Sequence, residues 1–272
     1  MRNLTLLTLL LTACSGGGDT GGTADGGTTD GGTTDGGTTD GGITITGTAK
    51  DLVSGAAASE GLCIYAADPT AAITGGELTI IAASETVAGG TYTLANVDTS
   101  SQVGLLILVQ DCGKGTFAVM PTATGISSSS YASLADGDTL ADVTSYLVDG
   151  TLQAGIDASL TAAGHSGSIA TDGALLGFVF DTSGTPLAGV TVSGTGSGTT
   201  TYYADADSAD GLFTSSTTGV NTTTDAAANS MFVIPAAPIW SYTADDGGDH
   251  TFASVLAGSQ PGYAVVVAFY GS

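Results

Sequence analysis

The chain has 272 residues, of which 42% are apolar and 43 are glycine, and it sets 26 Asp+Glu against 3 Lys+Arg for a net charge of −23. That balance excludes nucleic acid and anionic bilayer surfaces as electrostatic partners, because too few cations are present to replace the counterions of either. Calcium, cationic ligands and neutral surfaces stay compatible, and the length allows two domains once a leader and a linker are set aside.

The first element in chain order is a leader. Arg2 precedes an apolar run, residues 4–11, that contains six Leu. It is far shorter than the roughly 20 residues of a membrane-spanning helix and has the form of a secretory signal. The run ends Leu11-Thr12-Ala13-Cys14. This resembles the lipobox of bacterial lipoproteins, in which small residues before the Cys admit a peptidase. The resemblance implies a signal peptide of residues 1–13, cleavage before Cys14 and a diacylglycerol on the Cys14 thiol. Ser15 stands where inner-membrane retention in that family uses Asp, which implies an outer-membrane anchor. With Cys14 acylated, the remaining cysteines form an even pair, Cys63 and Cys112, which an oxidising compartment lets join as a disulfide. Two buried free thiols are the alternative.

A linker follows, residues 14–42. The unit Asp-Gly-Gly-Thr-Thr recurs from Asp25, Asp30 and Asp35 and ends at Asp40-Gly41-Gly42. No large apolar side chain is present to offset the entropy of ordering, so the segment is expected to act as a flexible tether. A calcium-binding repeat is the sharper alternative, but it needs a period of about nine residues with an apolar position in each turn.

From Ile43 on, short runs rich in Val, Ile, Thr and aromatics are broken by Gly, Asp, Ser and Pro, the pattern of mainly β, antiparallel sandwiches. A first β-sandwich module is expected over residues 43–135. Apolar Leu140, Val143 and Leu147 then recur near helical spacing, followed less regularly by Leu152, Ile156 and Leu160. The spacing predicts a partly helical connector over residues 136–170, with a helix between about Asp138 and Val148, capped by Asp136 or Asp138 and interrupted at Gly150 and Gly155.

The last module, residues 171–272, carries the more specific pattern. Gly177-Phe-Val-Phe-Asp181-Thr-Ser-Gly184-Thr-Pro186-Leu-Ala-Gly189-Val190-Thr-Val192 is strand, turn, strand. Together with Asn229-Ser-Met-Phe232-Val-Ile234-Pro235, it resembles the carboxypeptidase regulatory-like family. That resemblance implies a transthyretin-like, Greek-key sandwich without catalytic residues, appended to surface proteins as a spacer or adhesive module. The first module repeats the scheme more loosely, in Ile45-Thr-Gly47, residues 62–65 and Gly90-Thr-Tyr92-Thr-Leu94.

Chemistry is sparse. Neither His165 nor His250 has a His or Glu at i+3 or i+4, so a catalytic zinc site is poorly supported, and Gly164-His-Ser166-Gly-Ser168 misses the last glycine of a nucleophile elbow. Asp249 beside His250 is the remaining hydrolase candidate. Gly194-Thr-Gly196-Ser-Gly198 lacks the final glycine of a dinucleotide loop and is expected to be a flexible hairpin or loop. Calcium has the one physical case: Asp205, Asp207 and Asp210 place three carboxylates within six residues, although the spacing departs from an EF-hand loop, and a solvated acidic loop is the alternative. Asp136, Asp138 and Asp142, and Asp245, Asp246 and Asp249, are weaker sets. Trp240 and Tyr242, with Tyr202 and Tyr203, are candidates for stacking on a glycan or protein partner, against a role in core packing. These features point to a non-enzymatic, lipid-anchored surface protein with no resident cofactor. A ligand-binding lipoprotein, recognising glycan or protein with or without calcium, is the alternative.

Overall fold

A computed structural model describes residues 41–73, 76–100, 102–113, 115, 117–205, 212–215, 219–220, 223–228 and 230–272. The proposed signal peptide, Cys14 and nearly all of the linker lie outside the described residues.

The first half supplies β1 (Ile43–Asp51), β2 (Leu62–Asp68), the helical turn α1 (Thr70–Ile73), β3 (Thr79–Glu85), β4 (Thr91–Val97), β5 (Gly104–Asp111), β6 (Val119–Met120), β7 (Thr122–Ser127) and β8 (Thr139–Asp149). Next come α2 (Gly150–Ala162), α3 (Ile169–Asp172), β9 (Ala174–Asp181), β10 (Thr191–Gly194), β11 (Tyr202–Tyr203), β12 (Thr214–Ser215) and β13 (Gly219–Val220). The chain closes with β14 (Met231–Pro235), β15 (Trp240–Asp245), β16 (Val255–Ala257) and β17 (Ala264–Gly271). The protein is mainly β, with its sheets stacked as sandwiches.

An eight-stranded sheet, in the order β11-β14-β9-β17-β7-β5-β2-β3, runs through the molecule. Strands from residues 43–135 and from 171–272 thus meet in one sheet, joined where β17 lies parallel to β7. The four-stranded sheet β4-β1-β8-β6 covers one face of the first half, where Ile45 and Leu94 pack on Ile64, Leu105 and Ile107. The three-stranded sheet β10-β15-β16 covers the opposite face of the second half, where Val192 and Tyr242 pack on Leu175, Val179 and Phe269. Helix α2 closes the remaining face there, with Ile156 and Leu160 against Leu176, Phe178 and Val233. Strand β9 is therefore covered on both sides, which is why Ala174 to Phe178 reads as an unbroken apolar run rather than an alternation.

Two expectations need correction. The segment that was expected to be helical between Asp138 and Val148 is strand β8, parallel to β1. Its register shifts between Ile45 and Gly47, which oppose Leu140 and Val143. Asp142 sits there at φ 59°, so one extra residue is inserted and the apolar spacing becomes three instead of two. A bulge thus imitates the helical period, and beyond it Val143, Ser145 and Leu147 resume strict alternation. The helix starts later: Asp149 caps α2 by accepting from the Leu152 N–H at 2.6 Å, Gly150 opens it and Gly155 lies within it. Neither Asp136 nor Asp138 caps a helix; the Asp138 carboxylate accepts instead from the Ala135 N–H. The second correction concerns direction, since β1–β8, β17–β7 and β17–β9 are parallel pairs in a fold read as antiparallel.

Candidate functional site

The site grows out of an incomplete ladder. Strand β7 pairs with β5 along its whole length, from Thr122 to Ser127, and β17 pairs with β9 from Ala264 to Gly271. Between them, β17 and β7 pair only at Ala264–Thr122, Val265–Ala123 and Val266–Thr124. Beyond that point the two strands splay. The far end of the β17 edge is closed again by a bridge from Gly271 to Phe252, flanked by mutual backbone bonds between Thr251 and Ser272. Residues 125–127 of β7 and 267–270 of β17 therefore face one another across a gap in the sheet. Since strand residues turn their N–H and C=O groups alternately to either side, each edge presents backbone groups to the gap that have no ladder partner among the described residues.

The gap opens a slot of about 860 Å³. Because side chains alternate, its walls come from both faces of the sheet: Thr124, Ile126, Tyr146 and Phe178 on one, Val265, Val267 and Leu256 on the other. A Cβ on Gly125 would meet nothing within 4 Å, a measure of the open space beside this edge. Among the described residues, seven large hydrophobic side chains are exposed, and four of them line this slot: Ile73 at 38%, Val103 at 63%, Leu256 at 60% and Tyr270 at 57%. Exposed apolar side chains gathered at one place mark an interaction surface in a way that scattered ones do not. One wall is an aromatic row in which Tyr146 neighbours Phe178 at 6.5 Å, Phe178 stacks on Phe180 at 6.0 Å and Phe180 neighbours Tyr270 at 5.8 Å. Burial, and then the neighbouring Tyr270 hydroxyl, push the Tyr146 hydroxyl above its usual pKa, so it is neutral throughout the physiological range. Asp142 is the charged residue in the lining.

Nothing in the sequence announces this slot. Phe178, Phe180 and Tyr270 stand in apolar runs that read as core; Phe178 is indeed buried and Phe180 half-buried, whereas Tyr270, beside the splayed edge of β17, is exposed.

The residues singled out from sequence fall elsewhere. Cys63 and Cys112 are joined as a disulfide between β2 and the end of β5, with Cα atoms 5.1 Å apart. The Glu85 carboxylate lies within 4.8 Å of both sulfurs. Of the calcium candidates, Asp205 follows β11 and donates its N–H to the Leu212 carbonyl, whereas Asp207 and Asp210 lie outside the described residues. Tyr242 has no exposed surface; its ring is core and its hydroxyl donates to the Pro238 carbonyl at 2.8 Å, with burial lifting its pKa to about 12. Trp240 is half-buried and lies on the backbone of Gly194 and Gly196, where an added Cβ would come within 2.7 Å of the ring or closer. The glycine-rich run read as a flexible hairpin or loop is thus the bed of the single tryptophan. Tyr202 and Tyr203 are buried as well.

The histidines stand apart. His165 sets its ring edge against Tyr202 at 6.0 Å, and His250 Nδ1 meets Asp246 Oδ2 at 2.5 Å. The other Asp246 oxygen accepts from the N–H groups of Gly248, Asp249 and His250. The hydrogen bond from His250, aided by these backbone donors, holds the Asp246 pKa down at about 2. Asp245 likewise accepts from the Gly247 N–H. These carboxylates shape the turn after β15. No helix among the described residues is long and apolar enough to cross a membrane.

Fold and slot together define a β-sandwich protein. The sequence matches no protein-family model and no curated protein. Among solved structures it is similar to the shaft pilin SpaA of Lactobacillus rhamnosus GG, at 12% identity over 85% of this chain and 98% of that one, TM-score 0.24. It is similar to the family-26 carbohydrate-binding module CBMbc of Eubacterium rectale Amy13K, solved with maltoheptaose, at 12% identity over 85% and 94%, TM-score 0.24. For the Bacillus anthracis TIE protein the identity is 9% and the TM-score 0.23, and the match spans 85% of this chain but 34% of that protein. Likenesses of this size carry no argument about function.

Proposed function

We propose that the protein is a non-enzymatic cell-surface lipoprotein in which a β-sandwich body acts as a tethered structural or adhesive module. Cys14 carries the lipid, in the outer membrane, and residues 15–42 hold the body off the bilayer, with an r.m.s. reach of about 30 Å for a flexible chain of that length. The pairing of Cys63 with Cys112 supports passage through an oxidising compartment. The carboxypeptidase regulatory-like resemblance in residues 177–192 and 229–235 supports a module that works by contact rather than by chemistry. The observation that carries the adhesive role is the gathering of Ile73, Val103, Leu256 and Tyr270 at one slot.

A second reading, glycan recognition, is favoured by the exposed ring of Tyr270 beside the half-buried Phe180, since sugar faces stack on such rings. Calcium held by Asp205, Asp207 and Asp210 would accompany it. Protease treatment of intact cells tests the main reading: the body is digested at the surface of cells making the native chain, and Cys14→Ser releases it into the soluble fraction. A Cys14→Ser protein that stays membrane-bound overturns the anchor, and a body resistant until cells are opened overturns the surface location.

A further inference from the structure

We infer that the slot between β7 and β17 binds an extended peptide segment of a partner protein, which enters the sheet as an added strand, apolar at alternate positions and basic at its ends. The inference deepens the adhesive reading above and rests on it for the partner's location, though not for the binding itself.

Three observations converge. First, two strand edges face each other, residues 125–127 of β7 and 267–270 of β17, each already paired on its other side. Their N–H and C=O groups, without a ladder partner on this side among the described residues, recognise an extended backbone, and a strand laid between them finds partners on both flanks. The free edge of β17 is four residues, about 13 Å of strand, bounded by the Val266–Thr124 pair and the Phe252 bridge. The occupant is therefore short and must be a segment within a longer chain or a terminus. Second, the slot opens to both faces of the sheet, so side chains pointing alternately up and down each meet an apolar wall: Ile126 and Phe178 on one side, Val267 and Leu256 on the other. A sugar chain would use the aromatic row and leave the facing backbone edges unsatisfied. Third, the charge selects the ends. Asp142 is exposed in the lining, and residues 41–272 hold two Lys and no Arg against 21 Asp and Glu. That field attracts a Lys- or Arg-flanked segment and repels a second copy of this acidic chain.

The test uses a labelled nine-residue peptide of alternating valine and threonine with lysine at each end, titrated with the full chain purified in detergent. Fluorescence anisotropy is expected to saturate, and hydrogen exchange to slow at residues 125–127 and 267–270. Val103→Asp and Tyr270→Asp alter exposed side chains, so the fold is kept, as melting by circular dichroism verifies; each is expected to weaken binding at least tenfold. Asp142→Asn keeps a residue type that tolerates the left-handed backbone there and is expected to narrow the preference for lysine-flanked over glutamate-flanked peptide. A peptide with proline at alternate positions, lacking the N–H groups a ladder needs, is expected not to bind.

The inference is overturned by the absence of saturation up to about 1 mM, the weak end of measurable affinity. Equal binding of the proline peptide, or full binding by both aspartate variants, overturns it too. So does Tyr270-dependent binding of maltoheptaose in place of the peptide, which would make the slot a glycan site, or self-association that protects the same two edges. The titration needs no membrane. Loss of surface anchoring therefore leaves it unchanged, and the two readings fail separately.

Discussion

Replacing both Cys63 and Cys112 with alanine removes a cross-link that closes a loop over a sequence separation of 49. In the chain-entropy picture the unfolded state then recovers about 4 kcal/mol of conformational freedom. That is a large part of the roughly 5–15 kcal/mol by which a native protein exceeds its unfolded state. Native contacts cannot mask the loss, because Cys63 is buried with Tyr65 and Leu108 in a small cluster of the first half and gains no new partner as alanine. Urea unfolding followed by circular dichroism measures the difference. The midpoint falls and the slope steepens slightly, since the freed unfolded chain exposes more surface. A second probe sharpens the result. The single tryptophan, Trp240, sits in β15 of the second half, far in sequence from the disulfide. The halves share one sheet through β7 and β17, and Leu52, Met120 and Val148 of the first half pack in the core of the second. Trp240 fluorescence is therefore expected to move with circular dichroism to the same lower midpoint. A loss below about 1 kcal/mol would refute the entropy argument. A tryptophan transition that stays in place while circular dichroism shifts would refute the coupling between halves.

Two further outcomes follow from local geometry. Asp149→Ala removes the acceptor of the Leu152 N–H at the start of α2 and is expected to cost about 1 kcal/mol, read by calorimetry as a fall of about 3 °C in Tm. Asp246 has its pKa lowered to about 2 from an ordinary 3.8, so its carboxylate stabilises the fold above pH 4, and that contribution disappears as pH falls from about 4 through about 2. In Asp246→Asn the melting temperature should change less over that interval; an unchanged acid profile would deny the His250–Asp246 pair its role.

The element types were legible wherever one periodicity ruled. Strands such as β4, with Tyr92 and Leu94 inward and Thr91 and Thr93 outward, show their alternation directly in the sequence. The turn residues Asp181 and Gly184 stand where the motif places them, with the Asp181 carboxylate accepting from Ser183 and Thr185. The cysteine count led to the disulfide. Strand β8 was misread because a single inserted residue at Asp142 changes a spacing of two into three, and no local signal separates a bulge from a helical turn. The slot was hidden for a different reason. Strand pairing between β7 and β17 joins residues about 140 apart, and where that pairing stops is decided by tertiary packing. Aromatic residues that look alike in the sequence, Phe269 and Tyr270, consequently end as core and as exposed wall. At Tyr242, a candidate for stacking on a partner as against core packing, the ring is enclosed by β10 and β14 residues such as Val192 and Phe232.

The proposal that a lipid anchor and a tether hold a sandwich at the cell surface is tested most directly at Cys14. Mass spectrometry of the protein extracted from membranes is expected to find no peptide from residues 1–13 and an N-terminal Cys14 carrying diacylglycerol. A mature chain that retains residues 1–13, or begins at an unmodified Cys14, would contradict the account.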